Sequence, residues 1–422
     1  MMSSWQKVKL ADCVELLAGF PFKSHRFSDN PSDVPLVKGE NVSQGRILWD
    51  ISKRWPVSGW DDLEKFHLVP GDVVVAMDRP WIPAGLKWSY IREGDPKALL
   101  VQRCARLRSS NGCLDQDFLR FVIGGPEFEG YVKPITTGVN VPHISGKQIL
   151  DFEFTLPPLP IQRRIAGILS AYDDLIENSQ RRIKILEEMA RRLYREWFVH
   201  FRFPGHETCS FVESPLGEIP EGWEVKNLAN VAEVNRAQIN ARTAPEELHY
   251  IDISSVSPGH IDSMTTYAFA DAPGRARRIV QHGDVVWSCV RPNRRSYAQV
   301  MYPEANTIAS TGFAVLSATK VPFTFLYFAT TTDDFVAFLT NNATGAAYPA
   351  VTAATFEKAE LLIPSAVLLK NFGDETIPIT EQIHTLQRQI KNLRRTRDLL
   401  LPRLLSGQID VEALPEPGLT EP

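Results

Sequence analysis

The hydrophobic pattern of the chain changes period and then repeats the change. Through residues 1–157, short apolar runs such as Asp72-Val73-Val74-Val75-Ala76 are separated by Gly, Pro and Asn turns and predict β-strands. Pro157-Pro158-Leu159-Pro160 then stops a strand and suits the first turn of a helix. Beyond it Leu169, Ile176, Ile183, Ala190 and Trp197 recur every seven residues, with Tyr172, Ser179, Leu186 and Leu193 interleaved. That is an a/d seam held over four heptads, with charged residues on the other faces, and Phe203-Pro204-Gly205 ends it. The strand-like pattern returns with Asp284-Val285-Val286-Trp287. A second seam follows at Ile379, Ile383, Leu386, Ile390, Leu393 and Leu400, interrupted by Arg397 and expected to stop near Pro402.

The repetition extends to residue identity. Trp5-Gln6-Lys7-Val8-Lys9-Leu10 returns as Trp223-Glu224-Val225-Lys226-Asn227-Leu228, and Gly71-Asp72-Val73-Val74 with Arg79-Pro80 returns as Gly283-Asp284-Val285-Val286 with Arg291-Pro292. Thr137-Gly138 and Pro142 return as Thr344-Gly345 and Pro349, an offset that also carries Leu156-Pro157 onto Ile363-Pro364. Matches that keep their order imply an internal duplication. A 3.5-residue seam is satisfied best by another such seam, so the two helices are expected to pair antiparallel. The expected fold is α+β: two mixed α/β domains (1–157 and 204–365), two long helices forming an antiparallel coiled coil (158–203 and 366–408), and a tail (409–422).

Composition narrows the class. In 422 residues, 44% hydrophobic and 23% charged side chains describe a folded globular chain rather than a disordered one. Its longest apolar stretch, Phe323 to Leu339, is broken by Thr, Asp333 and Asp334, so no membrane partner is expected. The start, Met1 to Lys7, lacks the apolar core of a signal peptide, and five cysteines without a CxxC pair read as reduced thiols of a cytoplasmic protein. The net charge of −4 is uneven: residues 1–204 carry 28 Lys and Arg against 25 Asp and Glu, whereas residues 205–422 carry 18 against 25.

The usual signatures of catalysis do not appear. Ser145-Gly146-Lys147 is followed by Gln148 with no upstream glycine, so it is not a P-loop, and Gly124-Gly125 is an isolated turn. Histidines are scattered, Gly-x-Ser-x-Gly is missing, and so is the Asn-Pro-Pro-aromatic run of an amino-methyltransferase. The sequence therefore predicts no catalytic residues, no metal and no cofactor.

Loops between the strands carry the chemistry of nucleic-acid contact. In the first half these are Lys38 and Asn41 in a Gly-bounded loop, Arg79 and Trp81 at a strand end, and Lys87 just beyond. In the second half they are Arg275, then Arg291, Asn293, Arg294, Arg295 and Tyr297, with Thr344 and Tyr348 in the recurring Thr-Gly loop. Arginine can bridge guanine O6 and N7, Asn can bridge adenine N6 and N7, and lysine serves phosphates. Three arginines within five residues repel one another, so an anionic partner is the simplest reason to keep them together. Solvated turns explain any single one of these residues equally well.

The run Leu156-Pro157-Pro158-Leu159-Pro160-Ile161-Gln162-Arg163-Arg164-Ile165-Ala166 resembles the central region of type I restriction–modification specificity subunits. The loop from Thr137 to Ile144, the Gly71-Asp72-Val73-Val74 strand and the ending Leu400 to Gly407 resemble the same family. The resemblance implies a non-catalytic subunit with two target recognition domains, each reading one half of a bipartite double-stranded DNA sequence. It implies two methyltransferase subunits as partners, and restriction subunits through the complex. Trp197 and Phe198 are the expected anchors for the methyltransferase. Two other readings stay open: a coiled-coil protein adaptor without a DNA role, and a specificity protein of a modification-only complex.

Overall fold

The computed structural model describes residues 5–138 and 141–414. The chain forms two compact units, one taking the chain up to Glu177 together with the chain from Ile390 onward, the other Asn178–Gln389. The expected divisions at 157/158, 203/204 and 365/366 therefore do not coincide with the compact bodies. The reason is packing: each long helix gives one part of its length to each unit's core. Ile161, Ile165 and Leu169 join Leu404 in the first core, whereas Phe198 joins Leu368, Leu369 and Phe372 in the second.

The first unit holds two four-stranded sheets. One is antiparallel, in the order Trp88–Tyr90, Val73–Ala76, Cys104–Ser109, Val14–Ala18. Its strand Val73–Ala76 is fully buried, as a continuous apolar run requires. The other is mixed, in the order Arg54–Trp55, Val34–Val37, Ala98–Leu100, His67–Leu68, with one parallel pair in the middle. Gln6–Lys9 pairs with Glu153–Leu156, and the helices Gln116–Ile123 and Pro126–Ile135 cover the core.

The second unit has the same order of parts. Ala232–Val234, Phe313–Ala318, Val285–Ser288 and Tyr297–Gln299 form an antiparallel sheet. Thr265–Ala268, Glu247–Ile251, Thr307–Ser310 and Ala276–Ile279 form a mixed one, again with its parallel pair in the middle. Glu224–Asn227 pairs with Glu360–Ile363.

The first long helix, Leu159–Tyr194, begins where the proline run places it. Gln162 fixes that start. It is fully buried, donates from Nε2 to the carbonyls of Cys113 and Pro157 at 2.9 and 2.7 Å, and accepts from Asp115 N at 2.7 Å. The a positions Leu169, Ile176, Ile183 and Ala190 are buried. The regular helix stops at Tyr194, and Arg195–Val199 continue as one wider π turn. The second long helix, Ala366–Leu405, ends just beyond Pro402, inside the expected 366–408. Its end is set by Gly407, whose backbone is left-handed at φ +72° and whose neighbour Gln408 donates back to Arg403 O at 2.9 Å.

Within the first unit the helix segments run antiparallel, with Asp173 2.7 Å from Arg397 and Arg164 donating to Leu414 O. Arg397, the polar break in the second seam, is thus paired rather than stranded. Within the second unit Tyr194 meets the Phe372 ring edge-on at 6.0 Å and Trp197 meets it tilted at 5.9 Å.

Candidate nucleic-acid interface

In each unit, the two recurring loops meet at the end of the buried central strand. After Val73–Ala76 the chain turns at Arg79, whose N–H donates to Pro142 O at 2.7 Å, and Asp78 forms a bridge with His143. After Val285–Ser288 it turns at Arg291, whose N–H donates to Pro349 O at 2.7 Å, and Val290 bridges Ala350. Thr137 pairs with His143, and Thr344 with Ala350, closing each Thr-Gly loop on itself. Gly138 and Gly345 both sit at φ +101°, with a carbonyl three residues on where a side chain would begin, 2.4 and 3.1 Å away. That geometry explains why Thr-Gly recurs. Val139 and Asn140, in the first of these loops, lie outside the described residues.

The sequence-predicted residues fall into two sets. Lys38, Arg79, Trp81 and Lys87 gather around the first turn. Lys38 pairs with Glu40 at 2.8 Å, and Trp81 Nε1 donates to Thr136 Oγ1 at 3.2 Å. Lys87 is buried, and burial pushes its ammonium below the usual range, with Arg79 adding to the fall. In the second unit Arg291 lies 4.6 Å over the Tyr348 ring and donates to Ala347 O at 3.1 Å. Tyr348 is 69% exposed, and Thr344, Asn293 and Arg294 are also exposed. Arg275 joins the same strand end through its carbonyl, which accepts from Thr311 N at 2.7 Å, and its side chain lies 3.5 Å from Asp252. The repulsion expected among Arg291, Arg294 and Arg295 is relieved locally, because Arg295 pairs with Asp333 and Arg291 stacks on Tyr348.

Three expectations need correction. Asn41 is fully buried: its Oδ1 accepts from Lys38 N at 2.8 Å and its Nδ2 donates to Leu36 O at 3.0 Å, so it holds its own loop and reaches no outside partner. Tyr297 is buried on its strand, 5.1 Å from the Trp287 ring, and its hydroxyl is pushed up by that burial. Phe198 is 6% exposed, packed on Phe325, Phe372 and Trp223, while Trp197 is half-buried against Phe372. Both residues lie in the wider π turn, with Phe198 buried in the second core and Trp197 packed against it.

The structure also adds residues that the sequence reading passed over. One oxygen of Asp78 lies 2.6 Å from His143 Nδ1 and the other accepts from Arg103. Burial opposes the Asp78 charge, but His143 and Arg103 outweigh it and hold the carboxyl below the usual range. No sequence signal ties residues 78, 103 and 143 together. Among the described residues, no group of three or more His, Cys, Asp or Glu could hold a metal ion, and no helix is long and apolar enough to cross a membrane.

Residues 2–188 match the family model of the type I restriction modification DNA specificity domain. The MjaIX specificity subunit of a type I restriction enzyme from Methanocaldococcus jannaschii is 25% identical over 314 residues, covering 71% of this chain and 70% of that one. The HindI specificity subunit from Haemophilus influenzae is 21% identical over 480 residues, covering 97% and 100%. The chain is thus similar to type I restriction–modification specificity subunits, by the family model over residues 2–188 and by these relatives over most of its length. Its fold is that of the solved S subunit from M. genitalium, with a TM-score of 0.62 at 15% identity over 95% of this chain and 96% of that one. That similarity makes the paired loops a candidate DNA face.

Proposed function

We propose that the chain is the DNA sequence-specificity subunit of a type I restriction–modification complex, with one recognition domain (1–157 and 204–365) for each half of a bipartite target. The observation that carries this reading is the same in both units: an arginine-proline turn and a Thr-Gly loop pinned together at a strand end, with cations around them and, in the second unit, the exposed Tyr348 ring. Rigid strands thereby present adaptable side chains, the arrangement direct base readout needs. The domains are copies made by duplication, and the two long helices act as an antiparallel coiled-coil spacer. The buried a positions and the Asp173–Arg397 pair support that role.

Methyl transfer and ATP-driven cleavage belong to partner methyltransferase and restriction subunits, with two of the former. The outward charged positions of the helices are the surface left for them, since Phe198 is committed to the core. A gel shift with and without a methyltransferase partner tests the reading. Affinity for duplex DNA should fall steeply with salt as phosphate contacts are lost, and the chain alone should neither methylate with S-adenosylmethionine nor cleave with ATP and magnesium. Methyltransferase binding with no DNA binding at any salt concentration would leave a protein adaptor.

A further inference from the structure

Among the described residues, seven non-glycine positions have a left-handed backbone, and four of them are arginines: Arg79, Arg103, Arg291 and Arg295. All four lie at the strand-end turns. That conformation is disfavoured for any residue with a side chain, and such strain gathers at binding sites. The two units nevertheless dress this backbone differently. In the first, Met77 N donates to Arg103 O at 2.8 Å and Ile144 N to Met77 O at 2.8 Å. In the second, Cys289 N donates to Gly312 O and Val351 N to Cys289 O, each at 2.9 Å. Asp78, Arg103 and His143 thus correspond to Val290, Gly312 and Ala350. The second unit makes the same two backbone hydrogen bonds with none of the three polar groups, so that pairing of the loops does not require them.

We propose that Arg103 and His143 are the base-reading pair of the first unit, and that Asp78 is the residue that positions both. The proposal rests on the chain being a DNA sequence reader. Asp78 is sunk to 17% exposure while the Arg103 side chain is 64% exposed and His143 44% exposed. The carboxylate therefore serves as a buried anchor for two accessible heads. Its bond to Arg103 engages one of the five N–H groups of the guanidinium, which leaves donors enough to bridge guanine O6 and N7. On the imidazole the Asp78 contact takes Nδ1, so Nε2 is the atom for a second base edge or a neighbouring pair. Fixing both heads beforehand lowers the ordering cost on binding. The target chemistry is a guanine-containing pair in the half-site of the first unit. In the second unit, the corresponding reader is Arg291 stacked on Tyr348.

The test uses the full chain with its methyltransferase partner, on duplexes carrying the methylated motif and single-pair changes of it, with affinity read by fluorescence anisotropy across salt. Arg103→Lys, which keeps the charge, should weaken the motif on the order of tenfold. It should also flatten preference at one pair of the first half-site, leaving the other half-site and the salt slope unchanged. His143→Gln should flatten the same or the adjacent pair. Asp78→Asn should flatten the Arg103 pair, and the Asp78→Asn/Arg103→Lys double variant should be no weaker than Arg103→Lys alone. Should Asp78→Asn fail to fold, the two exposed substitutions decide the matter. Uniform weakening with a shallower salt slope would make Arg103 a phosphate contact, and unchanged preference at every pair would make the network a plain ion pair. Either result overturns the proposal. Sequence-blind binding by the unsubstituted complex overturns the DNA-reader reading beneath it.

Discussion

Asp72 and Asp284 stand at the same place in their units, one residue before the buried central strand, and each accepts a turn N–H at 2.8 Å, from Val69 and Gln281. Their surroundings differ. Asp72 is clasped by Arg108 through Nε and Nη2, whereas Asp284 has Ser317 in place of a cation, and its burial pushes the carboxyl above the usual range. A carboxyl raised in the folded state contributes stability that is fully present below its unfolded pKa and lost as pH climbs through the folded one. Asp284→Asn should therefore gain on the unsubstituted chain in urea-unfolding midpoint from pH 4 to pH 8. Asp72→Asn strands the Arg108 donors and should cost about 1–3 kcal/mol at pH 7. Phe198 gives a sharper case: Phe198→Ala removes a ring from between Phe325, Phe372 and Trp223 and should cost about 3–5 kcal/mol of unfolding free energy. A normal unfolding midpoint with lost methyltransferase binding would restore it as a surface anchor.

At the scale of elements, the seam positions and the order of strands were legible because period and repetition are local properties of a sequence. Leu169, Ile176, Ile183 and Ala190 are buried as their spacing requires, and the helix starts at the proline run. What the sequence hides is long-range or conformational. Asn41 in a glycine-bounded loop reads as exposed until Leu36 O and Lys38 N are seen to claim it. The Asp78 network spans residues 25 and 65 positions apart, and nothing in an arginine's identity announces a left-handed backbone. The π turn at Arg195–Val199 is likewise invisible in the heptad, which runs on to Trp197 without a break. The spacer role of the helices has its own test. Four residues inserted between Arg181 and Arg192 lengthen the helix by about 6 Å, which corresponds to one or two base pairs at ~3.4 Å each. Methylome sequencing should report a changed spacer with both half-site sequences retained. Altered bases at the old spacing would remove the helices from that role.

For the molecule as a whole, the first unit is discontinuous in sequence and the second is not. Leu404 and Val411 are buried in the first core, and the Trp5 ring lies against Gly407. Removing residues 404–422 should therefore cost the first unit on the order of 3–5 kcal/mol. Amide hydrogen exchange should quicken in Val73–Ala76 and Cys104–Ser109 while Val285–Ser288 and Phe313–Ala318 keep their protection. Equal protection in both sets would show that the first core does not depend on its late segment. The same closure sets a timetable during synthesis. At ~5–20 residues per second, the roughly 210 residues between Glu177 and Ile390 occupy the ribosome for on the order of 10–40 s. Throughout that interval Ile161, Ile165 and Leu169 wait without their partner Leu404. The second unit, continuous from Asn178 to Gln389, has its whole sequence before the ribosome delivers the first unit's closing segment. Vectorial folding thus runs backwards here: the part made first is finished last, and it is the nascent first unit that offers its apolar surface to chaperones.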